Sequence, residues 1–353
     1  MYYPIVIVGG GLSGLYAARL LTAAGADFCL LEARDRLGGR ILSVTDDGFD
    51  LGPAWFWPDM QPMMAGLVEE LGLAFFPQYS DGDVLIERPQ QPVQRFAGFG
   101  QMASSFRIAG GTGALVNALA KSLPPDRIRL DATVTAVVLR GEEVLVSLRD
   151  GETITAGRVL FALPPRLMEK AIAFTPEPQT RALWRASATW MAPHAKFVAA
   201  YEKPFWREAG LSGTAQSMTG PMVEIHDASA MTGGAALFGF IGVPADLREK
   251  IGAQELKTHC LAQFARLFGP KAGQPVATFL KDWAADALTA TAEDCQPSGH
   301  QGGEHPVPTS QPWFDAAWAG RAAMAGSETA PEHPGYLEGA LLAAAAGVAA
   351  FRL

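Results

Sequence analysis

Residues 4–40 read PIVIVGGGLSGLYAARLLTAAGADFCLLEARDRLGGR, and their order decides the fold. Ile5-Val6-Ile7-Val8 is a short β-branched run that ends in glycines, the pattern of a strand buried on both faces. Gly9-x-Gly11-x-x-Gly14 follows at once. The first glycine allows a tight turn, the second lets backbone approach a pyrophosphate, and the third lets the next helix pack closely on the sheet. Leu12 and Ser13 lie between them, where phosphates would meet unpaired N–H groups and the positive end of the helix dipole. Leu15, Ala18, Leu20 and Leu21 give the helix an apolar stripe, and Gly25 is placed to end it. A second strand, Cys29-Leu30-Leu31, delivers Glu32 about 20 residues beyond the glycines. A carboxylate there accepts both ribose hydroxyls and repels a 2′-phosphate, so NADP is disfavoured. Ala33 and Arg34 follow beside the ribose, and Arg36, Gly39 and Arg40 form a second glycine–arginine site for phosphate oxygens. This is a dinucleotide-binding βαβ unit.

The rest of the chain must complete or use that site. At 353 residues there is room for about two domains, and with 49% apolar against 18% charged residues a large core is available. A net charge of −8 argues against nucleic acid or an anionic membrane as partner. Cys29, Cys260 and Cys295 have neither metal-ligand nor CxxC spacing, which fits a reducing, cytoplasmic setting. A strand begins almost at Met1, leaving no room for a signal peptide, and the apolar run Gly339 to Phe351 is too short for a membrane span. His300 and His305 stand in a Pro/Gly-rich loop with no nearby cysteine, so no metal site is expected.

Further along, Trp55-Phe56-Trp57 stands among prolines and glycines. It suits either a core plug or a wall facing a planar ring. A helix is predicted from about Gln61 to Leu71. Residues 76–106 leave this pattern, with prolines, glutamines and at most a short strand at Val84-Leu85-Ile86. A helix over Ala114–Lys121 and strands at Ile128–Leu130, Thr133–Leu139, Val144–Leu148 and Val159–Leu163 return to it. Residues 186–283 read as a second unit, with strands at Lys196–Tyr201, Ala236–Ile241 and Val276–Leu280 and a helix at Gln254–Phe268. Strand Arg321–Ala325 and a helix from Tyr336 close the chain. The fold class is therefore α/β: a Rossmann-like FAD/NAD(P)-binding domain with an inserted α+β substrate domain. The expected division is 1–75, 107–185 and 286–353 for the first, 76–106 and 186–285 for the second.

These motifs together resemble the flavin-containing monoamine oxidase family of two-domain FAD oxidoreductases. The matching pieces are VIVGGGLSGLYAARLL, LLEARDRLGGRI, DLGPAWF, RIAGGTGALVNALA, VLFALPP, HAKFVAAYEKPFW, the DW at 282–283 and AGSETAPEHPGYLEGALLAA, which span the chain. The resemblance implies FAD. It places Gly9, Gly11 and Gly14 at the pyrophosphate, Glu32 at the adenosine ribose, Arg34 and Arg40 on the nucleotide and Val134 near the adenine. Gly52, Pro53, Ala54 and Trp55 would face the cofactor. In the Gly326-Ser327-Glu328 motif Glu328 would hold ribityl hydroxyls, and Leu337 would meet the pyrimidine end of the flavin. Lys196 matches a lysine that binds a water at flavin N5, Trp283 a tryptophan near the flavin, and Tyr336 one wall of an aromatic cage around the substrate amine.

The implied chemistry is oxidation of an amine C–N bond by hydride transfer to flavin N5, with reoxidation by O2 to H2O2. The substrate would be a small amine or amino-acid-like molecule. Alternatives are an amino-acid oxidase or desaturase on the same frame, or a non-catalytic FAD-binding protein. Three departures from the family pattern stand out. The cysteine that anchors FAD in some relatives falls at Ala292, with Cys295 three positions off, so FAD is expected to be non-covalent. The second cage wall aligns with Glu293. The excursion at 76–106 is short, which would leave the substrate face open or covered by a second copy in a homodimer.

Overall fold

The computed structural model describes residues 1–98, 104–296, 309 and 311–352. The opening βαβ unit lies inside a mixed eight-stranded sheet. Tyr2–Val8 runs parallel to Phe28–Leu31 on one side and to Thr153–Phe161 on the other. Side chains alternate across a strand, and both faces here are covered. Ile5 and Ile7 join a core with Leu15, Leu115, Leu119 and Leu341 from helices. Val6 and Val8 join another with Val137, Val146, Ile154 and Trp318. That double burial is why the sequence shows a continuous apolar run and no alternation.

The helix Leu12–Ala23 packs on Thr112–Lys121 and on the C-terminal helix Leu337–Ala349, so the last element completes the layer begun by the first. Gly9 turns the chain with φ +107°, and a Cβ on Gly14 would run into the Gly9 carbonyl oxygen. The close strand–helix contact thus needs glycine at both places. The Ser13 hydroxyl donates to the carbonyl of Ala325, tying the first helix to the last strand. On the far side, Val134–Arg140, Glu143–Leu148 and Thr153–Phe161 form an antiparallel meander, and Ala322–Met324 adds in parallel to the second half of Thr153–Phe161.

A second sheet runs in the order Ala277–Asp282, Ala195–Tyr201, Ala235–Ile241, Met222–Asp227, Leu211–Ser217, Asp83–Glu87, Gln94–Phe96. Neighbours are antiparallel except Leu211–Ser217 and Asp83–Glu87. Residues 76–106 therefore contribute more than the short strand expected. They supply a hairpin to the sheet edge, with Pro89 and Pro92 confined to its turn. The helix Ala253–Phe268 covers one face, Leu256, Cys260 and Phe264 packing with Phe197 and Leu237. The other face, through Val198, Ala200 and Phe238, packs on Phe49 and Leu51 from the first part of the chain. This second contact brings the sheet against the glycine turn and creates the site. Among the described residues no helix is long and apolar enough to cross a membrane.

Candidate functional site

Gly9, Gly11, Leu12 and Ser13 border a cavity together with Glu32, Arg34, Gly39 and Arg40. Gly52, Pro53, Ala54, Trp55, Lys196, Trp283, Gly326, Ser327, Tyr336 and Leu337 line the same cavity. Residues from both ends of the chain and from the second sheet therefore share one surface. Gly14, Ala33, Val134 and Glu328 are not on it. Gly14 is taken up by the strand–helix contact, and Val134 is buried in the core of the first sheet.

At the glycine end the helix Leu12–Ala23 opens on Gly11 with no acidic residue in its first turn. Its first N–H groups and dipole are left for an anion. Glu32 is buried and anchors the loop on both sides, accepting from Gly10 N at 2.7 Å and from Arg34 N at 2.8 Å. A carboxylate has about four acceptor positions, so capacity remains toward the cavity. Arg34 gives Nη2 to Asp286 at 2.9 Å and to Thr289 Oγ1 at 3.0 Å, and Thr289 also lines the cavity. Arg40 donates to Glu328 through Nη1 at 2.5 Å and Nη2 at 3.1 Å, to Ser327 Oγ at 2.9 Å and to the Trp190 carbonyl at 3.1 Å. The Glu328 carboxylate is thus buried behind Arg40, and the arginine is what reaches the cavity.

At the other end Lys196, on Ala195–Tyr201, is 3% exposed. Its Nζ donates to the Gly52 carbonyl at 3.1 Å and lies 3.9 Å from the centre of the Phe238 ring. Burial pulls its pKa down to about 7, with the Asp50 carboxylate opposing and the Arg107 guanidinium adding to the shift. The Trp283 ring is fixed by its Nε1–H on the Leu51 carbonyl at 3.0 Å, and Lys281 Nζ stands 4.5 Å from the ring centre. Tyr336 lies 6.1 Å from Trp190 at 33° and 6.5 Å from Trp57 at 80°, ring centre to ring centre, and all three line the cavity.

Trp190, His194 and Phe240 are cavity residues that the sequence argument did not single out. Trp190 and His194 lie just before Lys196, and aromatic or imidazole side chains in that stretch were the available signal. Two alignments are corrected. Glu293 and Ala292 are exposed and do not border the cavity, and among the described residues Trp190 and Trp57 are cavity aromatics that stand beside Tyr336. Trp55 and Trp57 face the cavity while Phe56 is core, so the WFW run serves as wall and plug together. His300 and His305 lie outside the described residues. Among the described residues there is no group of side chains suited to a metal ion.

Comparison with known proteins finds relatives along the whole chain. The family model of flavin containing amine oxidoreductases matches residues 91–350, and that of NAD(P)-binding Rossmann-like domains matches residues 7–71. A probable flavin-containing monoamine oxidase A of Dictyostelium discoideum is 25% identical, covering 96% of this chain and 95% of its own. A putrescine oxidase of Kocuria rosea is 25% identical over 82% of this chain and 83% of its own. Two solved structures share the fold: a putrescine oxidase bound to putrescine, with TM-score 0.82 and 23% identity, and a cyclohexylamine oxidase from Brevibacterium oxydans, with TM-score 0.82 and 19% identity. Each alignment covers 99% of this chain and 98% of the other.

Proposed function

The chain belongs to the flavin-containing amine oxidoreductase family and is an FAD-dependent amine oxidase, and on that premise we propose that its cavity holds FAD non-covalently, the adenosine half along residues 9–40 and the flavin half between Lys196, Trp283 and Tyr336. The observation that carries this is Lys196, a buried amine on the cavity wall whose hydrogen bond among the described residues goes to a backbone carbonyl. The residues suit the group: an acid-free helix start for the pyrophosphate, and a half-committed carboxylate, Glu32, for the ribose. Bound FAD supplies a two-electron acceptor for the amine α C–H bond and passes the electrons on to O2.

The protein's part is positioning and exclusion of water. Lys196 holds a water on the cavity side by hydrogen bond. Trp190 and Tyr336 flank the amine and, being apolar, disfavour its ammonium form and leave the nitrogen lone pair free. Anaerobic addition of amines should bleach the flavin, and air should then yield peroxide. A flavin that no amine bleaches would overturn the assignment of this cavity. Acid precipitation should leave FAD in the supernatant; flavin retained on the pellet would refute non-covalent binding.

For the substrate we favour a small amine that carries a second cationic group. Lys196 and Glu224 flank Phe240 in register across three strands, so all three side chains share one face of the sheet; Lys196 and Phe240 line the cavity, and Glu224 lies next to them outside its lining. Glu224 is half-exposed and pairs with His226 at 2.6 Å, which holds its carboxyl below the usual range. An exposed acid on the same sheet face draws ammonium groups, and the relative from Kocuria rosea is a putrescine oxidase. Glu224→Gln should raise KM for a diamine about tenfold and leave a monoamine of equal length unchanged. Equal effects on both would remove Glu224 from recognition. The division at 75/76, 106/107, 185/186 and 285/286, a cytoplasmic setting and a homodimer complete the proposal; light scattering tests the last.

A further inference from the structure

Trp190 borders the cavity beside Tyr336, on a stretch, residues 187–194, that belongs to no helix or strand. Ala192 N donates to the Thr189 carbonyl at 3.2 Å and His194 N to the Met191 carbonyl at 3.1 Å. Within this turn Met191 takes φ +61°, a left-handed conformation that an L side chain holds only where its surroundings impose it. Side chains from elsewhere in the chain supply that constraint.

They act from two sides. Arg40 donates to the Trp190 carbonyl at 3.1 Å from the glycine end of the cavity. On the other side of the same residue, Asp294 accepts from the Thr189 N–H at 3.0 Å. The Asp294 side chain is 1% exposed, and its Oδ1 also accepts from Arg166 Nη1 at 2.6 Å. Its Oδ2 accepts from Thr291 N and Thr291 Oγ1, both at 2.9 Å. These donors take up a carboxylate's acceptor capacity of about four, so the anchor is rigid. Arg166 belongs to the helix Pro165–Ala171, whose Met168 packs in the core of the first sheet. Facing the anchored loop is Gly335, where a Cβ would fall 2.5 Å from Trp190 Cβ. Trp190 thus packs directly on the backbone that delivers Tyr336, and any shift of the loop changes the gap between two rings now 6.1 Å apart.

We propose that Asp294 is a positioning residue for amine oxidation, acting through the Thr189 N–H to set Trp190 against Tyr336; the inference rests on the amine oxidase reading, with Trp190 as a wall of the cage. Residues 292 and 293 do not border the cavity, and the residue after them acts on it from behind. The two rings aim the amine at the flavin, and a misplacement of about 1 Å caused far from the chemistry costs up to about a hundredfold in rate. Reoxidation by O2 involves no amine and so does not depend on where Trp190 stands.

The test uses holoenzymes and a primary amine that bleaches the wild type. Anaerobic mixing at rising amine concentration gives the limiting rate of flavin reduction and the amine dissociation constant. Mixing the reduced enzyme with O2 gives reoxidation. Asp294→Ala should lower the ratio of limiting rate to dissociation constant about tenfold, with FAD content and reoxidation unchanged. Asp294→Asn keeps an acceptor oxygen for Thr189 and guards against failure to fold; its ratio should fall about threefold. Both losses should vanish in a Trp190→Ala background, because residues that act through one another are not additive. Unchanged reduction in both Asp294 variants overturns the inference. So does an equal loss with and without Trp190, or a parallel loss of FAD or of reoxidation, since each marks a carboxylate that only supports the fold. Wild-type flavin that no amine bleaches removes the amine oxidase reading and this inference together. Normal wild-type bleaching with unaffected Asp294 variants removes Asp294 alone.

Discussion

Lys196 and Asp50 form the most informative pair at the scale of single residues. Asp50 is buried, with Oδ1 accepting from Ser43 Oγ at 2.6 Å and from Thr112 N at 2.9 Å and Oγ1 at 2.8 Å, while Oδ2 has no hydrogen-bond partner among the described residues. Burial pushes its pKa up, and the Lys196 charge opposes that. Lys196→Met should slow reoxidation of the reduced flavin on the order of a hundredfold, the scale for removing one preorganised donor; stopped-flow mixing with O2 measures it, and unchanged kinetics would take the residue out of the site. Asp50→Asn removes the charge that holds the lysine protonated, so the pH at which reoxidation responds should move to lower values. The same lysine affects stability. Its pKa falls from the ordinary 10.5 to about 7 on folding, so between those values the unfolded chain binds more protons. Its contribution to stability therefore rises with pH across that window and is flat below about 7. Urea midpoints of Lys196→Met against wild type should lose that slope.

The elements are joined by a few polar side chains that periodicity does not reveal. Glu338, in the first turn of Leu337–Ala349, is buried and accepts from Met63 N at 3.0 Å and Met64 N at 2.7 Å. It caps the helix Pro62–Glu70 from another element, since that helix has no side-chain cap of its own. Glu338→Ala should therefore cost about 2 kcal/mol by calorimetry, from two buried N–H groups left unpaired; a loss under about 0.5 kcal/mol would show that water replaces the cap. In the sequence this glutamate reads as an ordinary helix-start acid. The strands Tyr2–Val8 and Ala195–Tyr201 were legible because each is an apolar run with breakers at its ends. The edge hairpin Asp83–Glu87 with Gln94–Phe96 was not, because edge strands are polar and half-exposed, and their pairing is decided by Leu211–Ser217, far away in sequence.

Across the whole molecule, Asp286 links the two ends of the cavity. It accepts from Arg34 at 2.9 Å on the side of the glycine turn and from Lys281 at 2.7 Å on the second sheet, where Lys281 lies over Trp283. Burial pushes the Asp286 carboxyl up, but Lys281 and Arg34 outweigh it and hold the group below the usual range. Its stabilising effect is present above the unfolded pKa and fades as pH falls through the lower folded value. Asp286→Asn should raise the FAD dissociation constant about tenfold, read by quenching of flavin fluorescence, and lower the melting temperature; an unaltered constant would mean that Arg34 holds its place without this partner.

The sequence by itself determined the βαβ unit and the order of the two sheets along the chain, and its family resemblance implied FAD and the residues on the flavin side. The unit and the sheets depend on local rules: glycine spacing, strand burial, and an acid at a fixed distance. Only the tertiary structure decided that Trp190, not residue 293, stands beside Tyr336, that Glu328 is spent on Arg40, and that His194 borders the cavity. Each of these depends on which segments meet when the second sheet packs on the glycine turn, and contacts between distant segments leave no period or spacing in the chain.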